Sequence, residues 1–257
     1  MTNKIIIEKT DAILRIIFNQ PEKRNAVSLE MWEAVESALI KYEHDPSVRV
    51  LIMSGAGGKA FVSGADISKF ESERSSAQAV EHYNAITKRV YDMVEAFPKP
   101  TIAQIDGFCV GGGVALSVCC DIRVCGEGSA FAIPAARLGL GYGFIGINRL
   151  ANLVGPAFAK EIFFTARRYS AEEALRFGLV NHVVKDGKVL NAVEEMASQI
   201  IDNAPLTVDA VKFIANQTQM DRSQCDLDAC DAMVKACFNS ADYIEGRRAF
   251  MEKRKPV

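Results

Sequence analysis

The sequence predicts an α/β fold with crossover connections. Three observations carry this reading. Short apolar runs of strand character recur, glycine-rich turns follow them directly, and helical patterns follow the turns. Apolar residues make up 49% and charged residues 24% of 257 positions, enough for a sizeable core and an argument against disorder.

Ile5–Ile7 and Ile13–Phe18 are β-rich runs flanking Lys9-Thr10-Asp11, a hairpin signal. After a polar turn over 19–25, Ser28 is placed as the N-cap of an amphipathic helix over 29–43. Trp32, Val35, Leu39 and Tyr42 recur there at helical spacing. Val48–Met53 is a strand, and 55–66 is rich in glycine. Glu71–Gln78 is polar and reads as a lid. A helix over 79–96 stops before Pro98 and Pro100, because proline cannot continue it. Thr101–Ile105 is a buried strand leading through the glycines of 107–113 into an apolar helix ending near Cys120. Ile122–Cys125 is the next strand.

Beyond residue 146 helices dominate. Ser170-Ala171-Glu172-Glu173 fits a capping box, Gly178 closes that helix, and Asn181–Val184 is a short strand. Pro205 and Ser240 mark further starts. Apolar stripes on the last helices (Val211, Ile214; Met233, Phe238; Tyr243, Phe250) require burial against the chain's own core or a neighbouring subunit. The expected division is a core over 1–190 and a helical region over 191–257.

A net charge of −2 supplies no bulk attraction to nucleic acid or an anionic membrane. No stretch approaches the roughly 20 apolar residues a spanning helix needs. The seven cysteines include no C-x-x-C and lie mostly in apolar runs, which reads as reduced, buried thiols in a reducing, cytoplasmic setting. No His/Cys/Asp/Glu grouping has metal-ligand spacing. Ser63 and Ser117 have no base partnered in sequence. His44 sits at a helix end, His182 lies in a strand, and His82 follows the lid.

Gly111-Gly112-Gly113 follows a strand and opens a helix, so its N–H groups lack intrahelical acceptors and sit at the positive end of the helix. Alone, such a triplet also suits an ordinary tight turn. It matches neither G-x-x-x-x-G-K-[ST] nor G-x-G-x-x-G.

Paired glycine segments are more specific. Lys59-Ala60-Phe61-Val62-Ser63-Gly64-Ala65-Asp66-Ile67 and Asp106-Gly107-Phe108-Cys109-Val110-Gly111-Gly112-Gly113 stand at the ends of consecutive strand units. Together with Asn19-x-Pro21-x-Lys23-x-Asn25-Ala26, Cys120-Asp121-Ile122-Arg123, Leu138-Gly139-Leu140 and Glu245-Gly246-Arg247-Arg248-Ala249-Phe250, they resemble the enoyl-CoA hydratase/isomerase (crotonase) superfamily along the whole chain. The resemblance implies a right-handed spiral of ββα units and a C-terminal trimerisation region in a homotrimer or homohexamer. It implies an acyl-CoA ligand, with coenzyme A belonging to the substrate thioester and no separate cofactor. It further implies an oxyanion hole from the N–H groups of Ala65 and Gly112. Coenzyme A contacts carried over by position are Lys23, Arg24, the backbone of Ser63, Ala65, Asp66 and Ile67, and Phe250 with Lys253, from this subunit or a neighbour. Asp66 and Asp121 match positions that hold backbone N–H groups.

The chain departs from the hydratases of this family at both acid–base glutamates. The position two residues after the glycine triplet is Ala115, and the position after Pro134 is Ala135. Alanine transfers no proton. Gly141-Tyr142-Gly143-Phe144-Ile145-Gly146-Ile147 is similar to the loop of the superfamily's malonyl-type decarboxylases, which makes Tyr142 the candidate catalytic side chain. Three activities follow as expectations: a hydratase or isomerase with non-standard acid–base groups, a malonyl-type acyl-CoA decarboxylase, or a non-catalytic acyl-CoA binding protein.

Overall fold

The computed structural model describes residues 2–69 and 75–256. The expected lid therefore lies outside the described residues over 71–74. Its last positions run into a helix whose N-cap is Ser76, the side chain accepting from the Ala79 N–H.

Strands β1 (Ile5–Thr10) and β2 (Ile13–Phe18) form the expected hairpin, with Ile5 opposite Phe18 and Thr10 opposite Ile13. Leu14, Ile16 and Phe18 are fully buried, as alternation in a strand with one core-facing side requires. Helix α1 (Leu29–Tyr42) follows. Ser28 holds its N-cap position, but its hydroxyl makes no cap bond.

From here the chain repeats a strand–strand–helix unit. The units are β3 (Val50–Gly55), β4 (Ala60–Val62) and α2 (Ala77–Ala96); β5 (Thr101–Ile105), β6 (Phe108–Val110) and α3 (Gly112–Ser117); then β7 (Ile122–Gly126), β8 (Ala130–Ala132) and α4 (Ala135–Leu138). Next come α5 (Phe144–Thr165), β9 (Tyr169–Ser170), α6 (Ala171–Arg176), β10 (His182–Val184) and α7 (Val189–Ile201). The first strand of each unit enters a six-stranded sheet of order β1-β2-β3-β5-β7-β10. The second enters a four-stranded sheet of order β4-β6-β8-β9. Successive units therefore stack in parallel as a spiral, the predicted architecture.

The main core packs Phe18, Trp32, Phe61 and Phe131 with the buried faces of α1 and α2. On the other side of the large sheet, Val189, Val193 and Ala197 of α7 cover Val50, Ile52, Ile102 and Val124. The expected division after residue 190 thus falls at the start of a helix packed on the sheet. The helices that stand away from it begin at α8 (Pro205–Gln217). That helix is pinned by Lys212, whose ammonium donates to Asp121 Oδ2 at 2.7 Å and Lys99 O at 2.9 Å. Helix α9 (Leu227–Phe238) has no buried residue and α10 (Ala241–Met251) has only Ala249. Their apolar stripes are uncovered within one chain. Among the described residues, no helix is long and apolar enough to cross a membrane.

Arg123 is 2% exposed and has no carboxylate partner among the described residues. It donates instead to the carbonyls of Ser117 at 3.2 Å, Cys120 at 2.6 Å and Leu179 at 2.8 Å. A cation at the C-terminal end of α3 opposes the negative end of the helix and satisfies its orphan acceptors.

Candidate active site

Strands β4 and β6 pair in parallel, Val62 opposite Cys109, so the chains leaving them run side by side into 63–65 and 111–113. At Gly113 the approach is too close for a side chain, since a Cβ there would stand 2.1 Å from Val62 O, whereas one on Gly64 would meet Val110 O at 3.5 Å and Gly112 N at 4.0 Å, ordinary contact distances. Gly64 and Gly111 also adopt φ of 105° and 55°, which glycine tolerates without a steric cost.

Ala65 forms an isolated parallel bridge with Val27. The bonds fall on its neighbours: Val27 N–H donates to Gly64 O at 2.8 Å, and Asp66 N–H donates to Val27 O at 2.9 Å. This alternation turns the Ala65 N–H to the opposite side, and among the described residues it meets no backbone acceptor. Gly112 is the first residue of α3, so its N–H has no intrahelical acceptor. Two available donors thus lie on adjoining backbone segments.

Tyr91 lies beside Gly112. The Tyr91 hydroxyl donates to Gly112 O at 3.3 Å. Tyr142 packs edge-on against Phe163 at 4.9 Å, joins the cluster that holds Ala65 and Tyr91, and has no side-chain hydrogen bond among the described residues. Burial raises both phenols, Tyr142 by burial alone and Tyr91 by burial and then its neighbours Cys119, Tyr142 and Tyr83, against an opposing Arg149. Among the described residues, no carboxylate is hydrogen-bonded to either hydroxyl. The acids closest in sequence to Tyr91 are occupied: Arg149 of α5 binds Asp92 at 2.7 Å and Glu95 at 2.6 Å on α2. Ala115 is half-buried on α3, and Ala135 is buried in the first turn of α4.

Of the expected coenzyme A residues, Lys23, Ser63 and Asp66 are joined by hydrogen bonds. The buried Asn25, at φ 55°, accepts from Gln20 N–H at 2.9 Å and donates to Ala60 O at 2.7 Å, fixing the 19–25 turn against β4. That turn presents Lys23 and Arg24. The Lys23 ammonium is taken up by Asp66 Oδ2 and Ser68 Oγ, both at 2.8 Å. Arg24 is exposed, with its guanidinium 4.9 Å from the Phe108 ring centre. The Ser63 hydroxyl donates to Lys23 O at 3.3 Å, and the Ile67 side chain is exposed. Phe250 and Lys253 stand exposed at the end of α10, which packs on α9.

Asp66 is 4% exposed. Burial works against its charge, but hydrogen bonds from Lys23, Ser68 and Gln20 prevail and hold the carboxyl at about 2, below the ordinary 3.8. A carboxyl depressed in the folded state stabilises the fold above its unfolded value, and that stability is lost as pH falls through 3.8 towards 2. Asp66→Asn is expected to cost on the order of 2 kcal/mol at neutral pH. Thermal melts should show the gap from wild type closing between pH 4 and pH 2, a window set by the same two values. A gap independent of pH would refute the assignment.

The remaining sequence candidates are not assembled into a site. His44, His82 and His182 are exposed. The Ser117 hydroxyl donates to Val114 O at 2.9 Å, and Asp121 holds the Thr101 N–H at 2.7 Å. Among the described residues, no group of three His, Cys, Asp or Glu could hold a metal. A cavity of about 780 Å³ lies elsewhere, between the end of α3, α5 and α8, and touches neither glycine segment. Sequence reasoning missed Tyr91 and Arg149. The only signal for Tyr91 was its place on the apolar face of α2, which does not separate a site residue from a core one.

Residues 8–257 match the family model described as enoyl-CoA hydratase/isomerase. The chain is 38% identical over 255 residues to a crotonyl-CoA hydratase of Syntrophomonas wolfei, covering 98% of this chain and 96% of the relative. It is 35% identical over 257 residues to a short-chain-enoyl-CoA hydratase of Clostridium acetobutylicum, covering 98% and 96%. The crystal structure of an enoyl-CoA hydratase/isomerase family protein from Hyphomonas neptunium superimposes with a TM-score of 0.92 at 33% identity, covering 99% of this chain and 97% of that one. The spiral of paired strands, the glycine segments at its strand ends and the whole-length match agree: the chain belongs to the enoyl-CoA hydratase/isomerase family and has the crotonase fold.

Proposed function

We propose that this acyl-CoA enzyme holds the thioester carbonyl oxygen between the N–H groups of Ala65 and Gly112, and forms the thioester enolate by expelling CO₂ from a malonyl-type acyl group. The observation that carries the reading is the chemistry of the acyl end. Ala115 and Ala135 stand where the family resemblance places carboxylates, and among the described residues no carboxylate is hydrogen-bonded to the Tyr91 or Tyr142 hydroxyl.

Decarboxylation suits such a site. The bond from the α-carbon to the carboxylate carbon breaks, and its electron pair enters the enolate, so no base is needed. The charge that develops on the thioester oxygen meets two donors, each worth roughly 10²–10³ in rate. The α-carbon then takes a proton from the Tyr142 hydroxyl, which solvent reprotonates. Burial keeps that phenol protonated at neutral pH. Lys23, Arg24, the 63–67 backbone, Phe250 and Lys253 bind the coenzyme A portion. The uncovered stripes of α9 and α10 associate in a homotrimer or homohexamer.

The test is CO₂ release from malonyl-CoA and methylmalonyl-CoA, with Tyr142→Phe expected to lower it about tenfold or more while thioester affinity holds. Release equal in the variant removes Tyr142 from the mechanism. The names of the relatives favour a second reading, hydration or isomerisation with tyrosine and water as acid and base. Turnover of crotonyl-CoA or a 3-enoyl-CoA without CO₂ release would select it. Binding without any turnover would identify a non-catalytic acyl-CoA binding protein.

A further inference from the structure

A thioester whose oxygen sits between Ala65 and Gly112 sends two arms into the protein. The coenzyme A arm runs to the hydrogen-bonded cluster of Lys23, Ser63 and Asp66. The acyl arm runs along the start of α3. Ala115, one turn on from Gly112, is where the resemblance places a group that acts on the acyl carbons. Tyr91 lies at the same place. Its hydroxyl donates to Gly112 O at 3.3 Å. That acceptor belongs to the residue carrying the donor N–H, so an oxygen hydrogen-bonded to the Gly112 N–H lies within about 10 Å of the phenol.

The surroundings of the phenol differ from side to side. Towards α1 they are solid. The ring meets the Trp32 indole edge-on, 5.4 Å between centres and 85° between planes. The indole N–H donates to Tyr83 Oη at 3.2 Å, and both of these residues are buried. Towards α5 and α8 there is space. The cavity of about 780 Å³ is lined by Val118, Cys119, Arg149, Leu153 and Val208 among others, and Tyr91 does not line it. Two of those lining residues adjoin the phenol: Cys119 and Arg149 lie close enough to shift its ionisation. Cys119 Sγ also donates to Ala115 O at 3.1 Å, so the same thiol borders the cavity and the acyl end. Tyr91 therefore stands between Gly112 and the residues that wall the cavity.

We infer that Tyr91 is a specificity-determining residue that closes the acyl pocket short of this cavity and limits the enzyme to thioesters of short acyl chains. The inference rests on the two-donor reading above and adds to it the side chain that sets chain length. An acyl chain of up to about four carbons ends short of the phenol. A longer one meets a ring with no room to turn, because Trp32 is packed behind it. With the ring removed, further carbons enter the cavity against Val118, Leu153 and Val208, each buried methylene being worth about fourfold in affinity.

Dissociation constants are measured for acetyl-, butyryl-, hexanoyl- and octanoyl-CoA, saturated thioesters that report binding whatever reaction the enzyme performs. The ratio between long and short chains is compared within each protein, so that a general loss of binding cancels. In the wild type, affinity is expected to fall at least about tenfold from butyryl- to octanoyl-CoA. Tyr91→Ala should remove that fall or reverse it, and Tyr91→Phe, which keeps the ring, should retain it. Tyr91→Leu opens the same passage with less packing lost against Trp32, and melting midpoints show which variants are folded. A wild type that binds octanoyl-CoA as tightly as butyryl-CoA overturns the inference whatever the variants do, and leaves the two-donor reading standing. A folded Tyr91→Ala or Tyr91→Leu with the wild-type ratio does the same. Failure of every one of these thioesters to bind the wild type overturns both.

Discussion

Crotonyl-CoA presented to this protein is expected to remain unhydrated, at a rate at least about 10⁴ below that of a family hydratase carrying both glutamates. Hydration adds hydroxide to the β-carbon and a proton to the α-carbon, so a base must take a proton from water and an acid must deliver one. Each positioned group contributes about 10²–10⁴, and neither Ala115 nor Ala135 can serve. Among the described residues, the neighbouring groups do not replace them. Tyr142 and Tyr91 are raised by burial, which disfavours the phenolate a base would require, and His82 faces solvent. The carbonyl would still be polarised by Ala65 and Gly112, so the thioester is expected to bind. The measurement is loss of the conjugated enoyl absorbance, with thioester binding followed in parallel. Hydration at a family hydratase's rate would show that the two alanines do not disable the route. The 38% identity to a crotonyl-CoA hydratase does not decide the matter, because a shared fold carries binding geometry further than it carries a reaction.

The parts of this molecule that could be read from sequence are those with local causes. Thr101–Ile105 is an uninterrupted apolar run ahead of a glycine turn, and the strand has those bounds. Ser170 and Glu173 make the reciprocal hydrogen bonds of a capping box, and the helix starts there. The four-stranded sheet was not legible. Its members at 60–62, 108–110 and 130–132 are three residues each, shorter than a period-two pattern needs, and they are strands because their neighbours in the spiral pair with them. The site divides in the same way. Gly64 and Gly111–Gly113 announced themselves as glycines beside strands. Tyr91 did not, because its hydrogen bond to Gly112 O depends on the distance from α2 to α3, which no local pattern encodes. The engagement of Lys23 by Asp66 was equally hidden: the two lie 43 positions apart, and no local pattern pairs them.

Within the triplet, Gly113→Ala is expected to be severely damaging, with turnover down about 10²-fold and stability lower by about 3 kcal/mol. The three adjacent glycines answer to different constraints, which makes the prediction specific. Gly111 needs its φ of 55°. Gly112 has limited room, its added Cβ meeting only the Tyr91 hydroxyl at 3.3 Å and Gly64 Cα at 3.9 Å. Gly113 has none, because its Cβ would lie 2.1 Å from Val62 O and 2.9 Å from Val62 C. Those are backbone atoms of a strand paired to β6, and they cannot rotate away as a side chain would. Relief requires α3 and β4 to separate, and they carry the two donors, Gly112 at the start of one and Ala65 just beyond the other. Displacement by about 1 Å is enough to cost two orders of magnitude in rate. Gly112→Ala is the control: a smaller loss of stability, because the atom it meets first ends a side chain. Melting midpoints and the infrared shift of bound acetyl-CoA separate the cases. Equal stability of Gly113→Ala and wild type would mean that the two segments are further apart than their backbone contact requires, and that the donors do not share one oxygen.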